Sequence, residues 1–219
     1  MNMRAFDDLS AEARLVFDAA LKNFAEFGYH GTPTRKIAQS VHKSPAAVYA
    51  HYPSKHELLF QIIIRGHEDL LSRILNAKEL GTTPVERLSE VARTHAEFHA
   101  QYSAIARVAN YELHNLDSNA LETILQIRRQ IESIVREIIA AGNERGDFDV
   151  ADGNLAASAM LSMGIDVSRW YQPNGRLTVT DIGDAYAGYA RRMVGITSER
   201  AGNDSGALGS DERNAEAQL

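Results

Sequence analysis

The sequence predicts an all-α protein of about nine helices, and three observations lead there. Apolar residues recur at spacings of three and four through nearly every long segment, while no segment sustains the alternation of a half-buried strand. Helix starts carry the residues that satisfy free amides: Thr32-Pro33, Ser44-Pro45, Ser54 with Glu57, and Thr83-Pro84 with Glu86. The composition, 44% hydrophobic and 24% charged over 219 residues, is that of a folded chain able to bury a sizeable core.

The first helix runs from about Ser10 to Phe27, with Val16, Ala20, Phe24 and Phe27 on one face and Gly28 as a left-handed stop. Thr32 caps a short second helix, with Pro33 at its first position, that reaches about Ser40. Ser44-Pro45 repeats the device and opens a third helix through His51. Pro53 ends that helix, and Ser54 with Glu57 forms a capping box for a long fourth helix to about Leu80. Thr83 with Glu86 forms a second box, opening a fifth helix near Pro84. A sixth covers Ser103 to His114. A seventh runs from Ser118 to Ala141, with Leu121, Ile124, Leu125, Arg128, Ile131, Val135 and Ile138 on one broad face, and Gly142 to Asp149 form a loop. Asp152 caps an eighth helix to about Trp170; Pro173-Asn174-Gly175 turns the chain; Thr180 opens a ninth helix ending near Gly195.

Charge is distributed unevenly. The net charge is −6, yet from Phe27 to His56 there is no aspartate or glutamate, and the window holds Arg35, Lys36, Lys43, Lys55 and four of the eight histidines. A local acid-free basic segment is the footprint of phosphate contact. Residues 198–219 carry five acids, no aromatic and little that can be buried, and are expected to form a disordered acidic tail. Cysteine is absent, which excludes disulfides, a cysteine nucleophile and Cys-ligated metal sites, and fits a reducing cytoplasm. The N-terminus lacks the apolar run of a signal peptide, and the least polar stretch, Leu155 to Ile165, is too short to span a bilayer.

Helices two and three are short and separated only by Val41-His42-Lys43, the length of a helix-turn-helix connection. In such a unit the second helix enters the major groove with its N-terminal residues on base edges. Here that helix begins Ser44-Pro45-Ala46-Ala47, small side chains that let the backbone approach closely. Ser44 and the first-turn amides suit a phosphate oxygen, Tyr49 and His51 reach towards flanking phosphates, and Lys55 at the start of helix four supplies another anion site.

The strings Thr34-Arg35-Lys36-Ile37-Ala38, Ser44 through Tyr52, and Ser54-Lys55-His56-Glu57-Leu58-Leu59, preceded by Phe27-Gly28-Tyr29-His30-Gly31-Thr32, resemble the DNA-binding domain of the TetR family of bacterial transcriptional repressors. The resemblance implies that Arg35 and the face of Pro45, Ala46 and Ala47 read bases, that Thr34, Ser44, Tyr49, His51 and Lys55 hold phosphates, and that Val48 and Tyr52 are core. The family often has glycine and an apolar residue in the turn, where this chain has His42 and Lys43. Histidine tolerates a left-handed backbone better than most residues, so the turn survives.

The resemblance also implies a head of residues 1–55, an effector-binding and dimerisation bundle of residues 56–197, and a ligand-responsive repressor released from a palindromic operator. The run from Gly146-Asp147-Phe148 through Ser168-Arg169-Trp170-Tyr171 to Tyr186-Ala187 and Arg192-Met193-Val194-Gly195 looks like a branch that controls fatty-acid or sterol breakdown and responds to acyl-CoA thioesters. Ala156, Ala157, Ala159, Ala185, Ala187, Gly188 and Ala190 permit close helix approach, either across a four-helix dimer interface or within the protomer. His95 and His99 share a helical face as a metal pair or as ordinary polar contacts; with no glutamate inside the pair, no metal or other cofactor is assigned. Candidate effector residues are His95, Phe98, His99, Tyr102, Arg107, Tyr111 and Arg128. Arg128 is the most suggestive, since a cation within an apolar face needs a partner. Two other classes compete: an architectural DNA-binding protein without effector, and a helical enzyme. The chain has no Gly-x-Ser-x-Gly elbow, phosphate-loop motif or dinucleotide fingerprint to support an enzyme.

Overall fold

A computed structural model describes residues 8–196, and among them lie nine α-helices and no strand. They are α1 (Ala11–Phe27), α2 (Thr34–Ser40), α3 (Pro45–His51), α4 (Lys55–Leu80), α5 (Pro84–Gln101), α6 (Ser103–Tyr111), α7 (Ser118–Arg145), α8 (Gly153–Trp170) and α9 (Val179–Met193). The tail expected from residue 198 onwards lies outside the described residues.

The head is α1 to α3 closed over the first turns of α4. Phe17, Ala20, Leu21 and Phe24 of α1, Ile37 and Ala38 of α2, Val48 of α3, and Leu58, Leu59 and Ile62 of α4 are buried in one apolar cluster. Buried hydrogen bonds set the angles. The Tyr52 hydroxyl donates to the Ala13 carbonyl at 3.2 Å, tying the end of α3 to α1, and the Asn23 amide reaches Ser40 Oγ at 3.1 Å, tying α1 to α2. Thr32 does not cap α2, contrary to the sequence reading. Its hydroxyl is fully buried against the Asn23 and Gly28 carbonyls, and the cap position falls to Pro33, which has no side-chain acceptor. Phe27 is exposed rather than core, and Lys36 Nζ sits over its ring.

In the turn His42 adopts φ 54°, the left-handed conformation expected of it. The amides of His42 and Lys43 bond back to the carbonyls of Gln39 and Ala38. Ser44 caps α3 as expected, accepting from Ala47 N. The Ser54–Glu57 box is half formed: Ser54 accepts from Glu57 N at 2.9 Å, but the Glu57 carboxylate turns to Gln61.

In the bundle, α5 is the central helix, with α4, α7, α8 and α9 against it. Thr83 and Glu86 make the full reciprocal box at its start. Helix α6 is shorter than expected, ending at Tyr111 before a single 3-10 turn, Leu113–Asn115. Thr178, not Thr180, caps α9, because Asp181 at the third position completes its box. The loop expected from Gly142 is helical through Arg145 and ends at left-handed Gly146. The missing side chain of Gly142 serves packing: a Cβ there would lie 2.0 Å from the buried Phe148 ring. The small residues of the last two helices divide. Ala157, Ala187 and Ala190 are buried within the protomer, and Ala159 faces solvent.

Alanine in place of an exposed helical glycine stabilises by about 1 kcal/mol. Gly142→Ala is expected to do the reverse, displacing Phe148 and costing about 1–3 kcal/mol. Urea unfolding of the variant against the parent checks the sign.

Candidate nucleic-acid interface and interior cavity

Arg35, Ser44, Pro45 and Ala46 are exposed on the outer face of α2 and α3, with Ala47 beside them half-buried. Tyr49 is exposed, and its hydroxyl donates to Thr34 Oγ1 at 3.1 Å, so these two candidates form one polar unit bridging the start of α2 and the last turn of α3. Val48 and Tyr52 are core, as the resemblance implies. His51 and Lys43 both lie 3.7 Å from the Glu12 carboxylate of α1, an acid placed beside the basic window by the fold alone. Lys55 is held inward. Its ammonium donates to the Tyr29 and Thr32 carbonyls at 3.0 and 3.2 Å and lies 4.0 Å from the Tyr29 ring centre, and partial burial pulls its pKa down.

A cavity of about 200 Å³ opens between α4, α5, α6, α7 and α8. Of the sequence candidates, His95, Phe98, His99 and Arg128 line it. Three do not. Tyr102 is buried but turned to Arg73, whose guanidinium donates to its hydroxyl while pairing with buried Asp69. Tyr111 is exposed, and Arg107 borders a surface groove between α1 and α6. Gly66, His67, Asn110, Glu132, Ser158 and Ser162 also line the cavity. His67 was missed because nothing local marks it: its partner Arg128 is 61 positions away.

The imidazoles at the inner end are neutral. His67 Nδ1 donates to the Ile63 carbonyl at 2.9 Å, leaving Nε2 to accept from Arg128 Nε at 3.0 Å. Burial, then Arg128, pulls the His67 pKa down to about 4. His99 Nδ1 contacts the His95 carbonyl at 2.8 Å, and burial likewise holds its pKa down at about 4. His95, its ring 4.4 Å from that of His99, is pushed well below the usual range by burial and by that neighbour. Gly164 makes room for it, since a Cβ there would lie 2.1 Å from its Nδ1. Arg128 also donates through Nη2 to the Ala109 carbonyl and Asn110 Oδ1. Among the described residues it has no carboxylate partner, and no group of three or more His, Asp or Glu side chains is placed to hold a metal ion.

Residues 81–194 match the tetracyclin repressor-like C-terminal domain, and residues 16–62 match the bacterial regulatory proteins of the tetR family. The chain belongs to the TetR family of DNA-binding regulators, not to an enzyme family. It is 26% identical over 192 residues to the HTH-type transcriptional repressor KstR2 of Mycobacterium tuberculosis, covering 84% of this chain and 92% of that one. It is 38% identical to a tetR-family regulatory protein from Rhodococcus RHA1, with a TM-score of 0.81 over 86% of this chain and all of that one. AibR, solved in complex with isovaleryl coenzyme A and operator DNA, shares the fold: TM-score 0.74 and 24% identity over 81% of this chain and 97% of AibR. Among the described residues no helix is long and apolar enough to cross a membrane.

Buried neutral histidines give stability a pH dependence of fixed sign. Above pH 6.5 both folded and unfolded chains hold these rings neutral. Between pH 6.5 and about 4 the unfolded chain takes up protons that the folded chain refuses, so stability falls with pH and the loss levels off below. The loss is on the order of 3 kcal/mol for each of His67 and His99. Urea midpoints at pH 7, 6 and 5 should decline, and His99→Asn should flatten the decline.

Proposed function

We propose that this protein is a cytoplasmic, ligand-responsive transcriptional repressor that binds a palindromic operator as a homodimer and is released by a small molecule, an acyl-CoA thioester. One observation carries the reading. Helix α4 starts at Lys55 beside the recognition helix, contributes Leu58, Leu59 and Ile62 to the head core, and then lines the cavity with Gly66, His67 and Leu70. A ligand that fits the cavity better in one tilt of α4 shifts the head with it, and can do so only by that difference in affinity.

The cavity suits the acyl end of a thioester. Its volume is far below what a whole coenzyme needs, and its rim, formed by Glu132, Ser158 and Ser162, is the more exposed part. An acyl group would enter while the nucleotide stayed outside. AibR supports the pairing of this fold with an acyl-CoA and an operator. Leu155, Ala159 and Trp170 fall on one exposed face of α8, and Tyr189 is exposed on α9; a second copy covering this surface would set the two heads on one side of a duplex.

In the head, Arg35 and the Pro45–Ala47 face read bases. Ser44, the Tyr49–Thr34 pair, His51 and Lys55 position the backbone, Lys55 while also holding the α1–α2 connection. Arg35→Ala should cost about 1–3 kcal/mol on the operator and relax base preference. Fluorescence anisotropy over a panel of duplexes decides, and an equal loss on every sequence would overturn the base-reading role.

Induction is tested by titrating acyl-CoA esters against labelled operator, with free coenzyme A and free acids as controls. Release by thioesters is expected, and operator DNA should weaken effector binding by the same factor that effector weakens DNA binding. Release only by an uncharged hydrophobic compound would remove the thioester and leave the repressor.

A further inference from the structure

The cavity walls have a fixed hydrogen-bond polarity. His99 is buried, and its Nδ1–H is engaged by the carbonyl of His95 one turn back, so its ring is locked in the tautomer whose Nε2 carries a lone pair. Among the described residues no donor reaches that Nε2. His67 is locked the same way, but its Nε2 is already occupied by Arg128. Arg128 donates through Nε and Nη2 to His67, Ala109 and Asn110, leaving both Nη1 donors unengaged by the described residues. One wall therefore offers an acceptor to a guest and another a charged donor, in a cavity of about 200 Å³ whose apolar lining includes Leu70, Phe98, Ile131 and Leu161 and whose polar rim is Glu132, Ser158 and Ser162.

We infer that the guest is a compact alicyclic acyl group bearing a hydroxyl, the hydroxyl donating to His99 Nε2 and the carboxylate or thioester carbonyl accepting from Arg128 Nη1. This rests on the reading of the cavity as the effector site and narrows its ligand class. Size agrees: a cavity of roughly 150 Å³ holds a benzene ring, so this one holds a single six-membered ring with two small substituents. A ketone in place of the hydroxyl would set lone pair against lone pair and leave Nε2 buried without a donor. An unsubstituted ring would merely leave it unpaired.

The test is calorimetric titration of the full chain, without DNA, with 3- and 4-hydroxycyclohexanecarboxylate, the matching oxo acids and cyclohexanecarboxylate, each as free acid and as coenzyme A thioester. At least one hydroxy isomer should bind about tenfold or more tighter than its oxo counterpart, the worth of one hydrogen bond. His99→Leu should abolish that preference while still binding the unsubstituted acid. Arg128→Gln should keep it while binding every free acid more weakly than the parent does. The parent series decides alone should a variant fail to fold. Equal or tighter binding of the oxo acids, or no binding by any member, overturns the inference. Separately, operator release by plain and hydroxylated thioesters at equal concentration would sink the hydroxyl assignment and leave the repressor standing. A hydroxyl preference with no operator release would do the opposite.

Discussion

Everything in this protein hangs on the double burial of α4. A helix of 26 residues has two ends about 39 Å apart at 1.5 Å per residue, and this one is packed along most of its length. Its first turns close the core of the head, with Leu58, Leu59, Ile62 and Ile63 all inaccessible; its later turns, with Leu70 and Ile74, pack into the bundle. Neither half can set the position of this helix without the other. The apolar cluster running from α1 through α4 to α7 is continuous, so the two halves share one core and meet across packed side chains.

Polar chemistry is placed where that packing leaves room. In the head the buried hydroxyls of Thr32 and Tyr52 and the amide of Asn23 each find a carbonyl or hydroxyl partner, which fixes the angle between α1, α2 and α3 and presents Arg35 and the start of α3 outward. In the bundle the same rule yields a different result. The imidazoles of His67 and His99 are pinned by carbonyls of the preceding turn and stay neutral, and a guanidinium is brought beside them without a counter-ion. A buried cation costs less when it donates to several acceptors, and Arg128 has three.

Local chemistry was legible in the sequence, and long-range placement was not. Ser44 before proline, the Thr83–Glu86 pair, Asp152 and the left-handed His42 are each determined within four residues, and each stands where the spacing put it. Thr32 carries the local signal of a cap, but its hydroxyl is taken by the carbonyls of Asn23 and Gly28, and the loop expected from Gly142 starts four residues later, at Gly146. The cavity was half visible. His95, Phe98 and His99 share a helical face, and Arg128 breaks an apolar one, so periodicity finds them. Tyr102, on the same face, was drawn off by Arg73, and His67 and Asn110 enter only because α4 and α6 cross there.

That crossing has a consequence for how such proteins can be recombined. At Gly66 the two helices touch so closely that a Cβ would stand 2.5 Å from Ile105 Cγ2, and the same glycine lines the cavity. A chimera that borrows a foreign head together with its α4 brings whatever residue that donor carries at this point, and anything larger than hydrogen pries α6 away. The workable seam for exchanging heads therefore lies inside α4, after Ile63 and before Gly66, within a single turn of helix. Cutting at the visually obvious loops would separate parts that are only shaped to each other.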